Sequence, residues 1–270
     1  MLNSAKQPSQ QITLLSDFGL ADVYVGVMKG VIAQIAPHVS IIDLTHQIPP
    51  QNLWAGRFAL MNAYPYFPTK TVHIAVVDPG VGSQRRAVAV EFPQGIVVVP
   101  DNGLVSGIGQ LERPIAAVEL NNPDYWRTPF PSRTFHGRDI FSPVGAYLAT
   151  GVPLEKVGTS IDPQTLVQFE IPPWTETEDG LAGTVQYIDY FGNVVTNIPA
   201  SVLTGKPWSV QLPELTLPQS ETYSDRAPGE PVALIGSHGW LEIAVNGGNA
   251  ATQLNLTYNS SLSVNWITSE

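Results

Sequence analysis

Polar clusters interrupt the apolar stretches of this 270-residue chain, and the cluster at residues 78–86 is the most informative. There a carboxylate, Asp78, precedes a glycine-rich turn that ends in two guanidinium groups. Residues 72–77 read as a buried strand, so Asp78 follows the carboxyl end of a strand, the edge where open α/β sheets bind ligands. Asp-Pro-Gly is also common turn chemistry, and this segment alone leaves both interpretations open.

Three further clusters also follow predicted strands or precede a predicted helix. Asp17 comes after an apolar run at residues 12–15 and could accept hydrogen bonds from a sugar diol or cap a turn. His136 precedes a predicted helix, where a neutral imidazole could relay a proton or simply cap that helix. Residues 188–193 resemble a β-hairpin turn, in which Phe191 could stack on a base.

Residue types and spacing argue against several other chemistries. The chain has no cysteine, which excludes disulfides, thiol nucleophiles and thiolate zinc sites. Its five histidines include no pair at ligand spacing on a helix, so no metal site is expected. The glycine-rich turn after Asp78 precedes a strand pattern, Ala-Val-Ala-Val, and so lacks the helix N-terminus of a phosphate cradle.

The composition indicates a folded protein with few charges. The net charge is −10, which argues against nucleic-acid or anionic-membrane partners because no basic face is available. Hydrophobic residues make up 43% and charged residues 13%, so the surface is expected to be charge-poor and prone to association. No signal peptide or membrane-spanning stretch is recognisable, and a cytoplasmic location is therefore expected.

The site residues require an α/β framework in the first part of the chain. Strand and helix patterns alternate from residue 12 to about residue 151, which predicts an α/β domain over residues 12–170 with a mostly parallel central sheet. Asp22 is expected to cap a helix at residues 23–35, and another helix is expected from residue 138 or 139 to 148.

The sequence pattern changes from alternating strands and helices to short β-segments in the last third of the chain. Residues 180–270 contain short β-rich segments and predict a smaller, barrel-like all-β domain. Such segments are residues 183–188, 232–235 and 254–257. Residues 1–11 are expected to form a flexible N-terminus.

Six motifs occur in order between about residues 12 and 250. They are Ser16-Asp17-Phe18-Gly19, Asp43-Leu44-Thr45-His46, Val77-Asp78-Pro79-Gly80-Val81-Gly82 with Arg85 and Arg86, Pro100-Asp101-Asn102-Gly103, Thr134-Phe135-His136-Gly137-Arg138-Asp139-Ile140-Phe141, and Asp189-Tyr190-Phe191-Gly192-Asn193. Together they resemble the adenosine-forming S-adenosylmethionine hydrolases, also called S-adenosylmethionine hydroxide adenosyltransferases, which are related to fluorinating and chlorinating enzymes. Six ordered matches outweigh the turn and capping interpretations of the single clusters.

The resemblance implies hydrolysis of S-adenosylmethionine to adenosine and L-methionine by in-line attack of an activated water or hydroxide on C5′. It implies that Asp78, Arg85 and His136 hold this nucleophile, with no cofactor and no metal. It also implies a homotrimer whose sites lie between the N-terminal domain of one subunit and the C-terminal domain of its neighbour.

The resemblance also assigns contacts to the substrate. These are Asp17 with the ribose hydroxyls, Asp189 with the methionine amine, Phe191 and Asn193 with adenine, and Ser237 at the methionine end. Ser237 rests on the loosest match, because the flanking residues align poorly.

Two alternatives to the hydrolase stay open. One is an S-adenosylmethionine-dependent halogenase, but the halide-using relatives carry a neutral residue at the position of Asp78, and the fluorinating ones a serine at that of Gly137. The Asp78 carboxylate would repel a nearby halide by about 1 to 4 kcal/mol. The other alternative is a non-catalytic protein that binds adenosine or S-adenosylmethionine.

Overall fold

A computed structural model describes residues 11–267 of the protein. They divide into two compact units, of which one ends at Phe169 and the other begins at Glu170. Residues 1–10 of the predicted flexible N-terminus lie outside the described residues, whereas Gln11 is the first residue of strand β1.

The first unit alternates strands with helices. Its strands are β1 (Gln11–Ser16), β2 (Ser40–Thr45), β3 (Thr71–Val76), β4 (Ala87–Glu91), β5 (Gly95–Pro100), β6 (Ala116–Glu119) and β7 (Thr159–Ile161). Its α-helices are α1 (Tyr24–Ile35), α2 (Leu53–Ala63), α3 (Ser106–Leu111) and α4 (Ser142–Ala149), and a π-helical turn (Gly137–Phe141) leads directly into α4.

A seven-stranded mixed sheet lies at the centre of this unit, counted over the described residues. The strand order is β2-β1-β3-β5-β4-β6-β7. The first four strands are parallel, and the remaining pairs are antiparallel. Asp17 and Asp78 follow two adjacent parallel strands, so they lie at the same edge of the sheet. The predicted α/β class is confirmed.

Helices cover both faces of β3, in which all six residues are buried. Met28 of α1 and Val144 of α4 join the core on one face. On the other face, the Tyr64 ring at the end of α2 packs against His73, with ring centroids 5.2 Å apart. Because each buried apolar side chain contributes about 1.5 to 3 kcal/mol, β3 is a firm support for Asp78.

Two helix starts differ from the sequence predictions. Helix α1 begins at Tyr24, and Val23 occupies the N-cap position without a side-chain bond, so the predicted cap by Asp22 is wrong. The helix predicted from residue 138 or 139 begins at Gly137 with a π-helical turn. Periodicity locates the apolar face of a helix, whereas its first turn depends on local backbone bonds.

The second unit is almost entirely β-structure. Its strands are β8 (Thr175–Thr177), β9 (Gly180–Ile188), β10 (Val194–Pro199), β11 (Trp208–Leu212), β12 (Leu215–Pro218), β13 (Pro231–Ile235), β14 (Trp240–Val245) and β15 (Ser261–Trp266), and one short helix, α5 (Ala250–Gln253), lies between β14 and β15. The antiparallel order is β12-β11-β15-β9-β10-β14-β13, with β8 beside β9. A bridge between Gln219 and Ala233 joins the outer strands, so the sheet is a nearly closed barrel, as predicted.

One predicted β-segment of this unit is wrong. Residues 254–257 follow α5 as a turn rather than a strand. Asn249 starts that helix by accepting a hydrogen bond from the Thr252 N–H at 2.8 Å, and Asn255 has a φ of 52°, which interrupts an extended backbone.

Candidate active site

The structure brings Asp78, Arg85 and His136 into direct contact. The Arg85 Nε donates to the two Asp78 oxygens at 2.9 and 3.0 Å, and Nη2 also donates to Oδ2. The same Nη2 lies 2.7 Å from His136 Nδ1. Only 5% of the Asp78 side chain and 10% of the Arg85 side chain are exposed. Arg85 therefore bridges a carboxylate and an imidazole in a largely dry setting.

The contact with Arg85 determines where His136 carries its proton. Guanidinium N–H groups only donate, so Nδ1 accepts and the proton resides on Nε2. Burial lowers the pKa of His136, and the nearby Arg85 charge lowers it further, against opposing effects of Asp78 and Asp139. The imidazole is neutral, and its Nε2–H can donate to a ligand.

The glycine-rich turn allows two segments of the site to meet. Gly82 has a φ of +78°, and a Cβ there would lie 2.3 Å from the Arg133 carbonyl oxygen. Ser83 stabilises the turn because its Oγ donates to the Gly80 carbonyl at 2.6 Å and accepts from the Arg85 N–H at 3.2 Å. The turn thus packs against the segment that leads to His136.

The two adjacent arginines of this cluster have different partners. Arg86 donates from Nε to Asp101 Oδ2 at 2.8 Å and from Nη2 to the Thr165 carbonyl at 2.6 Å. Asp101 also accepts from the Val167 N–H at 2.8 Å. Because side chains alternate along an extended segment, only Arg85 reaches His136. The Arg86 pair holds residues 165–167 to the sheet.

A cavity of about 290 Å³ opens beside Asp78 and His136. Its walls include Asp17 and Phe18 after β1, and Phe135 from the segment before the π-helical turn. A larger cavity, about 530 Å³, lies near the amino-terminal ends of β3 and β5 and contains none of the predicted site residues. Chemistry therefore selects the smaller cavity as the candidate site.

Asp17 is oriented by a backbone contact that the sequence did not reveal. Its Oδ2 accepts the Gln51 N–H at 2.8 Å. Gln51 has a φ of 63°, a left-handed conformation that is costly for a residue other than glycine. Beside Asp17, Phe18, Tyr24 and Phe135 form a cluster with ring centroids 5.1 to 5.8 Å apart. A carboxylate next to an aromatic wall suits a polar ring system such as a nucleoside.

Asp139 holds the segment that carries His136. It is fully buried and accepts two hydrogen bonds from Arg138 at 2.7 Å, one from Arg127 Nε and one from the Ser132 N–H. Burial raises the pKa of Asp139, but the hydrogen bonds from Arg138 and Arg127 outweigh burial and hold the pKa well below its usual range. The sequence signal was a carboxylate beside an arginine at the predicted helix start.

Three predicted site residues lie on the β9–β10 hairpin of the second unit. Asp189 accepts from the Asn193 N–H at 2.8 Å and from Asn193 Nδ2 at 3.0 Å. Gly192 has a φ of +84°, and a Cβ there would lie 2.1 Å from Asn249. The predicted hairpin turn is confirmed, and 71% of the Phe191 surface is exposed at its tip.

The fourth predicted residue of this unit, Ser237, is exposed in the loop between β13 and β14. The loop is anchored beside it, because His238 Nε2 lies 3.0 Å from Glu242 Oε2 and the Tyr223 hydroxyl donates to Oε1 at 2.7 Å. Burial raises the pKa of Tyr223, and its bond to Glu242 raises it further. The buried Glu242 carboxylate thus organises the base of the Ser237 loop.

Residues 11–267 contain no group of three histidine, cysteine, aspartate or glutamate side chains arranged to hold a metal ion. Within the same residues, no helix has both the length and the apolar character needed to cross a membrane.

Comparison with protein families identifies both units. The model of the SAM hydroxide adenosyltransferase N-terminal domain matches residues 12–158, and that of the C-terminal domain matches residues 183–263. Curated (R)-S-adenosyl-L-methionine hydrolases of Salinispora tropica and Salinispora arenicola are 42% and 40% identical over 93% and 94% of this chain, and 95% and 97% of their own lengths.

A less similar relative and a solved structure also match most of this chain. A fluorinase of Actinopolyspora mzabensis is 30% identical over 94% of this chain and 96% of its own length. The crystal structure of an uncharacterized conserved protein from Thermotoga maritima matches with a TM-score of 0.87 at 34% identity, covering 94% of this chain and 99% of that one.

Proposed function

Because the chain belongs to the S-adenosylmethionine hydroxide adenosyltransferase family, we propose that it hydrolyses S-adenosylmethionine to adenosine and L-methionine. The observation that carries this proposal is the Asp78–Arg85–His136 contact beside a cavity whose wall bears Asp17. The hydrolase relatives are more similar in sequence than the fluorinase, which favours water over halide as the nucleophile.

The substrate itself supplies most of the driving force. Its sulfonium makes C5′ electrophilic, and methionine leaves as a neutral thioether, so the leaving group needs no acid. As the C5′–O bond forms opposite sulfur, the C5′–S bond breaks and its electron pair passes to sulfur. The protein's task is therefore to place a water molecule in line and to take up its proton.

The three residues divide this task by their chemistry. Asp78 accepts the proton, because the water oxygen becomes strongly acidic once it bonds to carbon and a carboxylate is then basic enough. Arg85 pairs with the Asp78 carboxylate and holds it in place for this proton transfer. His136 donates its Nε2–H to the water oxygen and orients it, since Nδ1 is already occupied by Arg85. The proton then passes from Asp78 to solvent.

The remaining predicted residues bind the substrate in this proposal. Asp17 accepts hydrogen bonds from the ribose hydroxyls beside the aromatic wall, and Asp189 pairs with the methionine ammonium. Phe191 stacks on adenine, and Asn193 contacts it through its side-chain amide, which Asp189 orients by accepting from Nδ2. Ser237 contacts the methionine end.

We extend the proposal to a homotrimer, in which the second unit of a neighbouring subunit completes each site. The 290 Å³ cavity lies at the low end of the range for ligand pockets, which supports a site that a neighbouring subunit enlarges. Tyr190 and Phe191 are 93% and 71% exposed, as expected for side chains that such a contact would cover. Light scattering should give three times the 29.2 kDa chain mass, and a fully active monomer would contradict the trimer.

No cofactor or metal takes part in the proposed reaction. Activity should therefore persist after exhaustive dialysis against a chelator, and restoration by a divalent cation would contradict this part of the proposal. A cytoplasmic location stays a prediction from the sequence.

Product analysis tests the proposed function. Purified protein and S-adenosylmethionine should give adenosine and methionine in equal amounts, followed by liquid chromatography. A parallel reaction with excess chloride should give no 5′-chloro-5′-deoxyadenosine, because the Asp78 carboxylate repels an anion. Recovery of unchanged substrate under single-turnover conditions would instead indicate a non-catalytic binding protein, and a halogenated product would indicate a halogenase.

A further inference from the structure

A chain of polar contacts runs from the surface to the back of the site. Lys29 Nζ lies 2.6 Å from Asp43 Oδ2, and Asp43 Oδ1 lies 3.1 Å from His46 Nε2. On its other side, His46 Nδ1 lies 2.7 Å from Ser16 Oγ. Asp43 is partly exposed, whereas His46 and Ser16 are 2% and 0% exposed. The proposed mechanism uses none of these side chains.

The hydrogens of this chain can be assigned from its partners. The Asp43 carboxylate only accepts, so it favours the His46 tautomer with the proton on Nε2; Nδ1 then accepts from the Ser16 hydroxyl, whose oxygen also accepts the Phe18 N–H at 3.3 Å. The proton of a neutral His46 then resides on Nε2 and faces Asp43. Within the described residues, Nε2 has no partner in hydrogen-bond geometry, so its 3.1 Å contact with the Asp43 carboxylate is an electrostatic one. Ser16 does not line the cavity, so this serine, histidine and aspartate are not arranged for nucleophilic attack.

The loop that carries Asp17 is tied to residues 46–51 by two further bonds. The Gly19 N–H donates to the His46 carbonyl at 2.8 Å, and the Gln51 N–H donates to Asp17 Oδ2 at 2.8 Å. Asp17 directly follows Ser16 in sequence. Displacement of the Ser16 hydroxyl or of the His46 ring would therefore move the Asp17 carboxylate relative to the cavity.

We propose that Asp43, His46 and Ser16 are positioning residues that orient Asp17 toward the ribose hydroxyls of the substrate. This inference rests on the proposed function, in which Asp17 binds ribose. We call Asp43, His46 and Ser16 the positioning relay. It predicts a specific kinetic signature, because the relay touches neither Asp78 nor His136. Loss of the relay should raise KM and weaken adenosine binding while kcat at saturating substrate stays nearly unchanged.

A matched pair of hydroxyl deletions on β1 tests the relay. Ser16→Ala removes the bond to His46, and Thr13→Val removes an equivalent buried bond from Thr13 Oγ1 to His73 Nδ1, 2.8 Å long. Adenosine affinity, measured by calorimetry, should fall about tenfold in Ser16→Ala and less than about twofold in Thr13→Val. Equal losses in both variants would overturn the proposal, because they would indicate a general effect on stability.

A double-mutant cycle with Asp17→Ala separates positioning from a merely structural role. When Asp17 is absent, Ser16→Ala should weaken adenosine binding no further, since the relay acts through Asp17. The same tenfold loss in both backgrounds would overturn the inference. If Asp17→Ala alone leaves adenosine affinity unchanged, the ribose role in the proposed function is wrong, which is a distinguishable failure.

A partly exposed member of the relay provides a variant with little risk of misfolding. Asp43→Asn keeps the shape of the side chain and should weaken adenosine binding about threefold in the wild-type background and not at all in Asp17→Ala. If Ser16→Ala does not fold, this pair carries the test. An unchanged affinity in Asp43→Asn with Asp17 present would overturn the proposal, which assigns Asp43 a part in holding the His46 ring.

Discussion

Replacing Asp78 with asparagine removes the negative charge beside the cavity and keeps the size of the side chain. In the structure this carboxylate receives two Arg85 Nε contacts and one from Nη2, with only 5% of its side chain exposed. The substitution therefore removes the proposed proton acceptor and leaves a largely buried guanidinium without its counter-charge.

The two consequences have different magnitudes. Loss of a general base lowers turnover by about 10² to 10⁴, which corresponds to about 3 to 5 kcal/mol of activation free energy. The free energy of unfolding should fall by about 1 to 3 kcal/mol, less than for an unpaired buried charge, because the asparagine oxygen still accepts from Arg85. Adenosine is uncharged, so its affinity should stay within about threefold of wild type.

Asp101→Asn is the matched control for this substitution. Asp101 is equally buried and pairs with the neighbouring Arg86, but it does not line the cavity. Both variants should lose similar stability in thermal unfolding, whereas only Asp78→Asn should lose turnover, measured as adenosine formed at saturating S-adenosylmethionine. Turnover of Asp78→Asn within about tenfold of wild type, or an equal loss in Asp101→Asn, would refute the assignment of Asp78 as base.

Three further predictions concern pH and backbone conformation. Burial and Arg85 lower the pKa of His136, so kcat/KM should fall with acidification only below pH 6.5. A fall in kcat/KM that already begins above pH 6.5, and that His136→Gln abolishes, would contradict a neutral His136. Burial lowers the pKa of His73 to about 4 in the folded protein. As pH falls, His73 therefore takes up a proton in the unfolded chain before it does so in the folded one. The neutral His73 thus contributes about 3 kcal/mol to the free energy of unfolding, which is fully present above pH 6.5 and is lost as the pH falls toward 4. In denaturant titrations, the free energy of unfolding of His73→Gln should depend less on pH over this range. Gly192→Ala should lose about 2 kcal/mol or more of stability, through backbone strain and a clash with Asn249. The control is Gly205→Ala, because Gly205 has a similar φ but open space around it, and this variant should lose less. Equal unfolding midpoints of the two variants would contradict this reasoning.

The residues that contact each other in the candidate site were predictable because each lies in a short motif at an element boundary. Asp78, Arg85 and His136 illustrate this. Their contact was not predictable from spacing, since it depends on Gly82 packing against the Arg133 backbone across the fold. Residue type and spacing alone do not separate Arg85 from Arg86. The family resemblance assigned Arg85 to the site, and in the structure the two side chains have different partners.

The positioning relay shows what a sequence pattern cannot supply. Ser16 is the last residue of β1, and His46 directly follows the parallel strand β2. The pairing of β1 with β2 shifts register between Leu14 and Leu15. This irregularity brings Ser16 level with His46, and residue periodicity carries no signal of it. The turn after α5 was missed for a similar reason, because Asn255 adopts a left-handed conformation that composition does not indicate.

A single turnover in oxygen-18 water, with a chelator present, tests most directly whether water displaces methionine at C5′. The proposed mechanism predicts adenosine that carries the label at its 5′ oxygen and methionine that carries none. Unlabelled adenosine, or turnover that begins only when a divalent cation is added, would contradict it.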